Sequence, residues 1–577
     1  MRTPLAIPRV PRLRRPDGWS VAVLLTAALA ASPLVALLGI AAQPNQGLWG
    51  HLLGTVLPLY LVTTAELGLA VAVGVGVLGV STAWLVTVCR FPGRRTFRWA
   101  LLLPLAMPTY LAAFAYTDLL EYAGPVQGTL RALLGWRSKA DYWFPEVRSL
   151  GGAAVFMTLV LYPYVYLLAR AAFLEQSAGA LEAGRSLGRG PWRCFFTVAL
   201  PLARPAIAVG VLLALMETLN DFGTVEFFAV PTFTVGIYRV WFGMNNAPAA
   251  AQLATFVLAV VLGLIWLERA ARSRARFDAG PAGKARPLPG FALRGWRAAL
   301  AVAACALPVL LGFGVPAGML LRGSLASAGA LPLAELAGVL GNSLLVSTLA
   351  GGGAVGVGLL LAYGQRQRGG PLVRGAARVA SVGYAVPGTV LALGVLIPAA
   401  ALDNAVDALL RAWLGVSSGL LLSGTVAAVT FACILRFLAL SFGTLEASLG
   451  KITRAMDYAA RSLGATPAGA LWRVHLPLMR PSVLTAGLLV FVDTMKELPM
   501  TLILRPFNFD TLATHVFELA SYERFHQAAP AALAIVLAGL LPVILLSRGI
   551  ARGRDVRPPR AGAAAADPDA VRPWGAP

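Results

Sequence analysis

The chain has 577 residues, of which 58% are hydrophobic and only 13% charged, and its mean hydropathy is +0.73. This composition carries more apolar surface than a water-soluble core can bury, so it excludes a soluble protein and predicts one that sits in lipid. The net charge of +22 does not indicate nucleic-acid binding, because the basic residues cluster between apolar runs without an aromatic reading surface. The four cysteines lie far apart, which predicts neither a disulfide framework nor a zinc site.

Apolar runs of about 20 residues, the length that crosses a bilayer, recur along the chain. The first run follows Arg9, Arg12, Arg14 and Arg15, as in a signal peptide, but it continues to Ala42. That is longer than a signal h-region, so we expect a retained membrane span. Six runs make up the first half, near residues 19–42, 56–89, 99–120, 152–173, 200–221 and 250–267.

A segment rich in Arg, Pro and Gly separates these runs from six more. The later runs lie near residues 298–321, 341–364, 376–400, 419–440, 479–498 and 529–547. The predicted fold class is therefore all-α and polytopic, with about twelve transmembrane helices in two homologous halves of six. The predicted domains are an N-terminal tail (1–18), a first transmembrane half (19–267), a cytoplasmic linker (268–297), a second transmembrane half (298–548) and a disordered tail (549–577).

The position of the basic clusters predicts the orientation of the spans. Clusters at residues 90–98 and 366–378 fall on the same side as both termini, which the positive-inside rule places in the cytoplasm. An even number of spans in each half gives the two halves the same orientation, so we expect a pseudo-two-fold axis along the membrane normal.

One loop occurs twice in the same register. The first copy runs Leu181-Glu182-Ala183-Gly184-Arg185-Ser186-Leu187-Gly188 and closes with Leu200-Pro201, and the second runs Asp457-Tyr458-Ala459-Ala460-Arg461-Ser462-Leu463-Gly464 and closes with Leu476-Pro477. Arg185 and Arg461, like Pro201 and Pro477, lie 276 residues apart, and 12 of the 25 positions from 181 to 205 match. Composition alone would give roughly two or three matches, which indicates an internal repeat.

The chemistry of this loop predicts a short helix with one polar and one apolar face. Gly188 and Gly464 permit a helix stop, and Leu-Pro opens the following span. Such an exposed amphipathic helix is either a belt at the membrane interface or a knob that inserts into the groove of a partner.

The doubled loop resembles the EAA loop of binding-protein-dependent ABC importer permeases of type I. In that family the loop forms a coupling helix that docks into a cleft of the ATPase, so the resemblance implies two ABC ATPase subunits and a periplasmic substrate-binding protein as partners. The second copy has Tyr458 where the family has Glu. The residues that the resemblance assigns to coupling are Glu182, Ala183, Gly184, Arg185, Gly188, Asp457, Tyr458, Ala459, Ala460, Arg461 and Gly464.

We expect no ATP site and no cofactor in this chain, with ATP and magnesium bound by the partner ATPase. The nearest approach to a P-loop is Gly450-Lys451, which has Leu445 in place of the first Gly and Ile452 in place of the Ser or Thr that holds magnesium.

Acidic residues recur beyond each loop, at the far end of the next span: Glu217 and Asp221 in the first half, Asp493 and Glu497 in the second. Charge in a membrane span is costly, so these residues indicate either a substrate pathway or a buried structural network with Lys496. The strings 217–224, 493–501 and 505–511 resemble ferric-iron permeases of this superfamily, and carboxylate oxygens suit that hard cation.

A further polar cluster lies in the last outward-facing segment. Glu518, Tyr522 and His526, near His515 and Glu523, are weak candidates for contact with a metal, although no metal-ligand spacing is present and a solvated face is the alternative.

The sequence thus predicts a multi-pass permease of the bacterial inner membrane with both termini cytoplasmic. It would move ferric iron by alternating access, without being an enzyme itself. The same importer class for thiamine, a polyamine or an oxyanion remains open, as does an ion-driven secondary transporter.

Overall fold

The structure is a computed structural model, which describes residues 18–44, 47–175, 186, 190–275, 291–327 and 333–552. Within these ranges, eleven helices are long and apolar enough to cross a membrane, and one further helix pair, bent by 89°, brings the number to twelve if it counts as one span. The prediction of an all-α polytopic protein is confirmed.

In the first half, the apolar runs become long helices joined by short ones. The elements are α1 (Gly18–Ala41), α2 (Leu48–Gly54), α3 (Leu57–Val88), β1 (Cys89–Arg90), α4 (Arg94–Ala100), α5 (Thr109–Leu120), α6 (Pro125–Leu134), α7 (Leu150–Glu175), α8 (Pro191–Cys194), α9 (Leu200–Asn220), α10 (Gly223–Phe227), α11 (Phe233–Phe242) and α12 (Ala247–Ala275). The last of these helices extends into the segment predicted as a linker.

The second half also consists of long helices joined by short ones. Its elements are β2 (Phe291–Ala292), α13 (Trp296–Val309), α14 (Val315–Ala326), α15 (Leu333–Arg368), α16 (Pro371–Ala380), α17 (Gly388–Leu414), α18 (Val426–Lys451), α19 (Arg454–Ser462), α20 (Pro467–Ala470), α21 (Leu476–Met495), α22 (Pro499–Leu504), α23 (Leu512–Ser521) and α24 (Phe525–Arg552). The two short strands pair in parallel, with Cys89 opposite Phe291.

Two of the predicted spans are broken by proline. The run 99–120 divides into α4, a 3₁₀ turn over Leu103–Ala106 and α5, because Pro108 is extended (ψ 143°) and begins the next helix. The run 376–400 divides in the same way before Pro387 (ψ 140°). Proline lacks a backbone N–H and disfavours helical geometry in the preceding residue. The expectation of one continuous helix in each place is therefore wrong.

The repeated Leu-Pro pair lies inside a span. In each half, a π-helical turn comes just before it, over Phe195–Ala199 and Leu471–His475, and the helix begins earlier, at Pro191 or Pro467. A wide turn relieves the clash that a helical proline makes with the preceding turn. Leu-Pro therefore marks a π-turn within each span, and the expectation that it opens the span is wrong.

The chain divides into two compact units. The first contains the described residues up to Pro33, with Gly351–Tyr384 and Ile434–Val490. Its core joins Val23 and Ala27 of α1 to residues of the second half, and Trp19 meets the ring of Tyr363 edge-on at 5.1 Å. The first helix of the first half thus packs against the second half.

The second unit, which holds most of the first half, shows the reciprocal arrangement. Gly312, in the π-turn Leu310–Gly314 between α13 and α14, lies so close to α7 that an added Cβ would be 2.4 Å from the carbonyl oxygen of Leu159. Tyr116 donates a hydrogen bond of 2.5 Å to the carbonyl oxygen of Leu311. The first helix of the second half therefore packs against the first half.

Close helix packing in the second unit depends on glycine. Gly79 of α3 and Gly210 of α9 both face Val165 of α7, where an added Cβ would lie 2.6 Å from Val165 Cβ and 2.8 Å from Val165 Cα respectively. Small residues let membrane helices approach closely where lipid supplies no hydrophobic driving force. In the first unit, Gly358 of α15 meets Ser441 in the same way, at 2.6 Å from its Oγ.

Candidate functional site

The second copy of the repeated loop forms α19, a short helix between the long helices α18 and α21. Asp457 and Ala460 face inward and are buried, whereas Tyr458, Ala459 and Arg461 face outward. Tyr458 is 62% exposed and the following Leu463 is 87% exposed. Large apolar side chains on a polar helix between two spans form a surface suited to a partner groove.

Gly464 ends this helix as the sequence predicts. Its φ is +79°, in the left-handed region that favours glycine. The N–H of Ala465 donates to the carbonyl of Ala460 at 3.0 Å, and the N–H of Gly464 donates to that of Arg461 at 2.9 Å. These are the two hydrogen bonds of a Schellman motif, so the helix stop satisfies the last carbonyls without a side chain.

The buried face of α19 makes charged and polar contacts with the end of α15 and with the π-turn before α21. The Arg366 guanidinium, from the end of α15, contacts Asp457 Oδ2 at 2.9 Å. His475, the last residue of the π-turn, brings Nε2 to 2.6 Å from Asp457 Oδ1. Arg461, on the exposed face, donates to Gln367 Oε1 at 2.6 Å. Asp457 therefore contacts the protein interior and is not available for direct docking.

The first copy of the loop lies almost wholly outside the described residues. Of the positions from 176 to 189, only Ser186 is described, as an exposed helical residue. The coupling residues predicted there, which are Glu182, Ala183, Gly184, Arg185 and Gly188, lie outside the described residues.

Two of the four acidic residues, Asp221 and Glu497, lie just after the ends of α9 and α21, where a short helix follows in each half. Asp221 Oδ1 accepts hydrogen bonds from the N–H groups of Thr224 and Val225, at 2.9 and 3.3 Å. Glu497 accepts from the N–H groups of Met500 and Thr501, at 3.2 and 3.0 Å. The donors lie 276 residues apart, as the acceptors do. Each carboxylate thus satisfies the free N–H groups at the start of a short helix, α10 or α22.

The other two acidic residues lie beside a lysine. Lys496 Nζ contacts Asp493 Oδ1 at 2.7 Å and lies within electrostatic range of Glu217. Both carboxylates are half-buried. The position that corresponds to Lys496 in the first half is Asn220. The repeat therefore carries a cation on one side only.

The two acidic strings come together around Tyr110, on α5. Tyr110 lies within electrostatic range of both Asp221 and Glu497, and Gly223 packs so tightly that an added Cβ would lie 2.7 Å from Leu498 and 2.8 Å from Tyr110. Within the described ranges, three buried polar atoms here lack a hydrogen-bond partner: Tyr110 Oη, Asn220 Oδ1 and Thr494 Oγ1. We term this polar region, with Glu217, Asp493 and Lys496, the acidic chamber.

The weak metal candidates do not form a ligand set. No group of three or more His, Cys, Asp or Glu residues in the described ranges could hold a metal ion. Tyr522 and His526 are exposed, and Glu518 Oε2 lies 3.7 Å from Arg505. Burial lowers the pKa of the neighbouring His515 imidazole, which keeps this ring neutral.

Comparison with known proteins identifies the family. The model of the binding-protein-dependent transport system inner membrane component matches residues 76–276 and again 330–552. The chain belongs to this family. Membership makes it a multi-pass inner-membrane permease of an ABC importer, a transport component that works with ATPase and binding-protein partners.

Named permeases resemble the chain across one or both halves. The Fe(3+)-transport system permease protein FbpB 2 of Haemophilus influenzae is 28% identical over 85% of this chain and 89% of its own length. A probable ABC transporter permease protein, y4fN, of Sinorhizobium fredii is 24% identical over 84% of the chain and 86% of its own. The molybdenum transport system permease protein ModB of Escherichia coli is 32% identical over 34% of this chain and 87% of its own length.

Three features of the permease were not predicted from the sequence. The Arg366–Asp457–His475 contacts join residues from different spans, the first helices exchange between halves, and Asp221 and Glu497 are already engaged by backbone N–H groups. The identical spacing from Asp221 to Thr224 and from Glu497 to Met500 was the available signal for the last feature.

Proposed function

We propose that this permease imports ferric iron delivered by a periplasmic binding protein. The observation that carries the proposal is the similarity to the Fe(3+)-transport system permease protein along both halves, over 85% of the chain. The acidic chamber supports it, because Glu217 and Asp493 present half-buried carboxylates and ferric iron is a hard cation that prefers oxygen ligands.

The proposed drive is ATP hydrolysis in two partner subunits, one at each repeated loop. α19 supports this role, since its exposed face carries Tyr458 and Leu463 and its end is fixed by Gly464. ATP and magnesium bind in those subunits, and this chain needs no cofactor of its own. One copy of the chain supplies both docking loops, and both termini lie in the cytoplasm.

Alternating access then follows from the repeat. Closure of the ATPases on ATP moves the two docking helices, and the halves rock so that the pathway opens beneath the loaded binding protein. Hydrolysis resets the cycle.

An oxyanion is the second candidate cargo. Lys496 favours it, because this cation lies in the acidic chamber where the first half has Asn220. The similarity of part of the chain to a molybdenum transport permease points the same way.

Neutralising the chamber carboxylates separates the two cargoes. We expect Glu217→Gln with Asp493→Asn to lower ferric uptake by about tenfold, equivalent to about 1.4 kcal/mol, because a cation loses its carboxylates. Uptake of radioactive ferric iron and of molybdate would be compared in cells that express the permease with its own ATPase and binding protein. Lys496→Asn, which copies the first half, is the matched variant and should leave ferric uptake unchanged or higher.

Three results would contradict these expectations. Ferric uptake that survives the double neutralisation would reject a role of Glu217 and Asp493 in the pathway, and molybdate uptake that is lost with Lys496→Asn would replace the ferric proposal with the oxyanion one. A binding protein purified with neither iron nor an oxyanion would reject both.

A further inference from the structure

We propose that Arg366, Asp457 and His475 form a rigid joint that transmits the movement of α19 to α21 in the second half, where two of these three positions differ in sequence from the first half. We call these three residues the α19 joint. The inference rests on the proposed docking of α19 on an ATPase. It names the residues that transmit movement from the docking helix to the next span. It also predicts that this transmission differs between the two halves.

Arg366, at the end of α15, contacts both α18 and α19. Its NH1 donates to the carbonyl of Leu449 at 2.5 Å, and its NH2 donates to that of Ile452 at 2.9 Å, at the end of α18. Its Nε donates to Asp457 Oδ2 at 2.9 Å. The planar guanidinium fixes several donors in one geometry, so it binds the last carbonyls of α18 and the carboxylate of α19 together. α19 therefore cannot shift against α15 and α18 without breaking several charged contacts.

His475 links the same carboxylate to the next span. The imidazole is fully buried, its Nε2 lies 2.6 Å from Asp457 Oδ1, and its ring centre lies 5.5 Å from that of Tyr363. The Tyr363 hydroxyl donates to the carbonyl of Pro467 at 2.7 Å, where this span begins. Asp457 thus connects directly to the residue that precedes α21, and Asp493 of the acidic chamber lies in the last turn of that helix.

The π-turn places His475 directly before α21. A π-turn holds one extra residue, which a helix can absorb or release as it changes register, and such turns occur often at functional sites. Both His475 ring nitrogens and Asp457 Oδ1 lack a hydrogen bond of good geometry within the described ranges, although the carboxylate contact is short. Because buried polar atoms normally find partners, we take the 2.6 Å approach of Nε2 to Oδ1 as the contact that joins His475 to Asp457.

The first half carries a different set at the corresponding positions. Leu181 stands where Asp457 does, and Ala199 stands where His475 does, while Arg90 matches Arg366. Leu181 and Ala199 carry no charged or hydrogen-bonding side chain, so this pair of residues cannot form the contact that Asp457 makes with His475. Movement of the second docking helix should therefore be transmitted more tightly than that of the first.

The test copies the first-half residues into the second half. Asp457→Leu, His475→Ala and the double variant would be reconstituted in proteoliposomes with the ATPase and the binding protein loaded with ferric iron. Two quantities would be measured: the midpoint temperature of unfolding, and the number of ferric ions imported for each ATP hydrolysed. His475→Gln, which can still hydrogen-bond to Asp457, is the conservative control.

The double variant distinguishes transmission from simple stabilisation. Asp457→Leu alone leaves Arg366 and His475 without their carboxylate, so it should lower the midpoint temperature, and removing His475 as well should recover part of the loss. We expect the ratio of iron to ATP in the double variant to stay about tenfold below that of the unmodified protein, while His475→Gln retains more than half of it.

Two results would overturn the inference. The first is a double variant with an unchanged ratio of iron to ATP, which would leave the joint a purely structural feature. The second is an unchanged ratio in His475→Ala, which decides the matter even if the Asp457 variants fail to insert. Failure of the docking proposal would look different, because the ATPase would then remain bound after the exposed face of α19 is altered.

Discussion

Replacing Leu463 by Asp should abolish ATP-driven uptake and release the ATPase from the second docking site. Leu463 is 87% exposed and directly follows α19, so the change introduces no charge into the protein interior. In a protein interface, the loss of a central apolar anchor costs about 2 kcal/mol or more, which weakens binding more than tenfold. Affinity purification of the complex with quantification of the retained ATPase would measure the effect, alongside uptake.

Two paired variants separate docking from folding. Leu463→Met keeps the apolar contact and should retain uptake. At the helix stop, Gly464→Asn tolerates the left-handed φ of +79°, whereas Gly464→Glu adds both strain and a bulky charge. We expect the Asn variant to keep most activity and the Glu variant to lose it. Full ATPase retention and full uptake in Leu463→Asp would mean that α19 does not dock.

Replacing Gly79 by Leu should prevent the first half from packing. An added Cβ at Gly79 would lie 2.6 Å from Val165 Cβ and 2.9 Å from the backbone nitrogen of Tyr166, and backbone cannot move aside as a side chain can. Overpacking typically costs about 1–3 kcal/mol, and here the whole of α3 must move away from α7, so we expect at least the upper end of that range. The yield of monodisperse protein in detergent and its midpoint temperature of unfolding would show the loss.

Gly76 is the matched control for this substitution. It lies in the same helix, and an added Cβ there would meet nothing within 4 Å. Gly76→Leu should therefore behave as the unmodified protein does in both measurements. Equal stability of the Gly79 and Gly76 variants would contradict the close packing of α3 on α7.

The spans could be read from sequence because crossing a bilayer demands a fixed apolar length, and nearly every predicted run became a helix. The breaks before Pro108 and Pro387 were missed because the surrounding side chains stay apolar while the backbone loses its helical geometry. Apolarity reports contact with lipid or protein, but not the continuity of hydrogen bonds. Proline within a run is not a sufficient signal either, because Pro163 and Pro398 lie inside continuous helices.

The packing partners of the spans were beyond sequence reasoning. The surface of a membrane helix that faces lipid and the surface that faces protein are both apolar, so hydropathy does not show that α1 packs beside Tyr363. The register of the repeat was more informative, since it placed Gly464 at the end of the docking helix. It also showed that the halves differ at Tyr458, which stands where the first half has Glu182.

The acidic residues show why a costly charge does not by itself reveal its role. Asp221 and Glu497 are engaged by the N–H groups of α10 and α22, which the physics of helix ends explains without a cargo. Glu217 and Asp493 are placed beside Lys496, so these two carboxylates carry the proposal for the pathway. Sequence position alone did not separate the two pairs.

The most direct test of the account is uptake into proteoliposomes that contain this permease, its ATPase and its binding protein loaded with ferric iron. The account predicts that iron accumulates inside only when ATP is supplied on the side of the ATPase, with two ATPase subunits for each permease chain. Ionophores that collapse proton and sodium gradients should not reduce it. Uptake that persists without the ATPase, or that stops with the ion gradient while ATP is present, would contradict an ATP-driven importer.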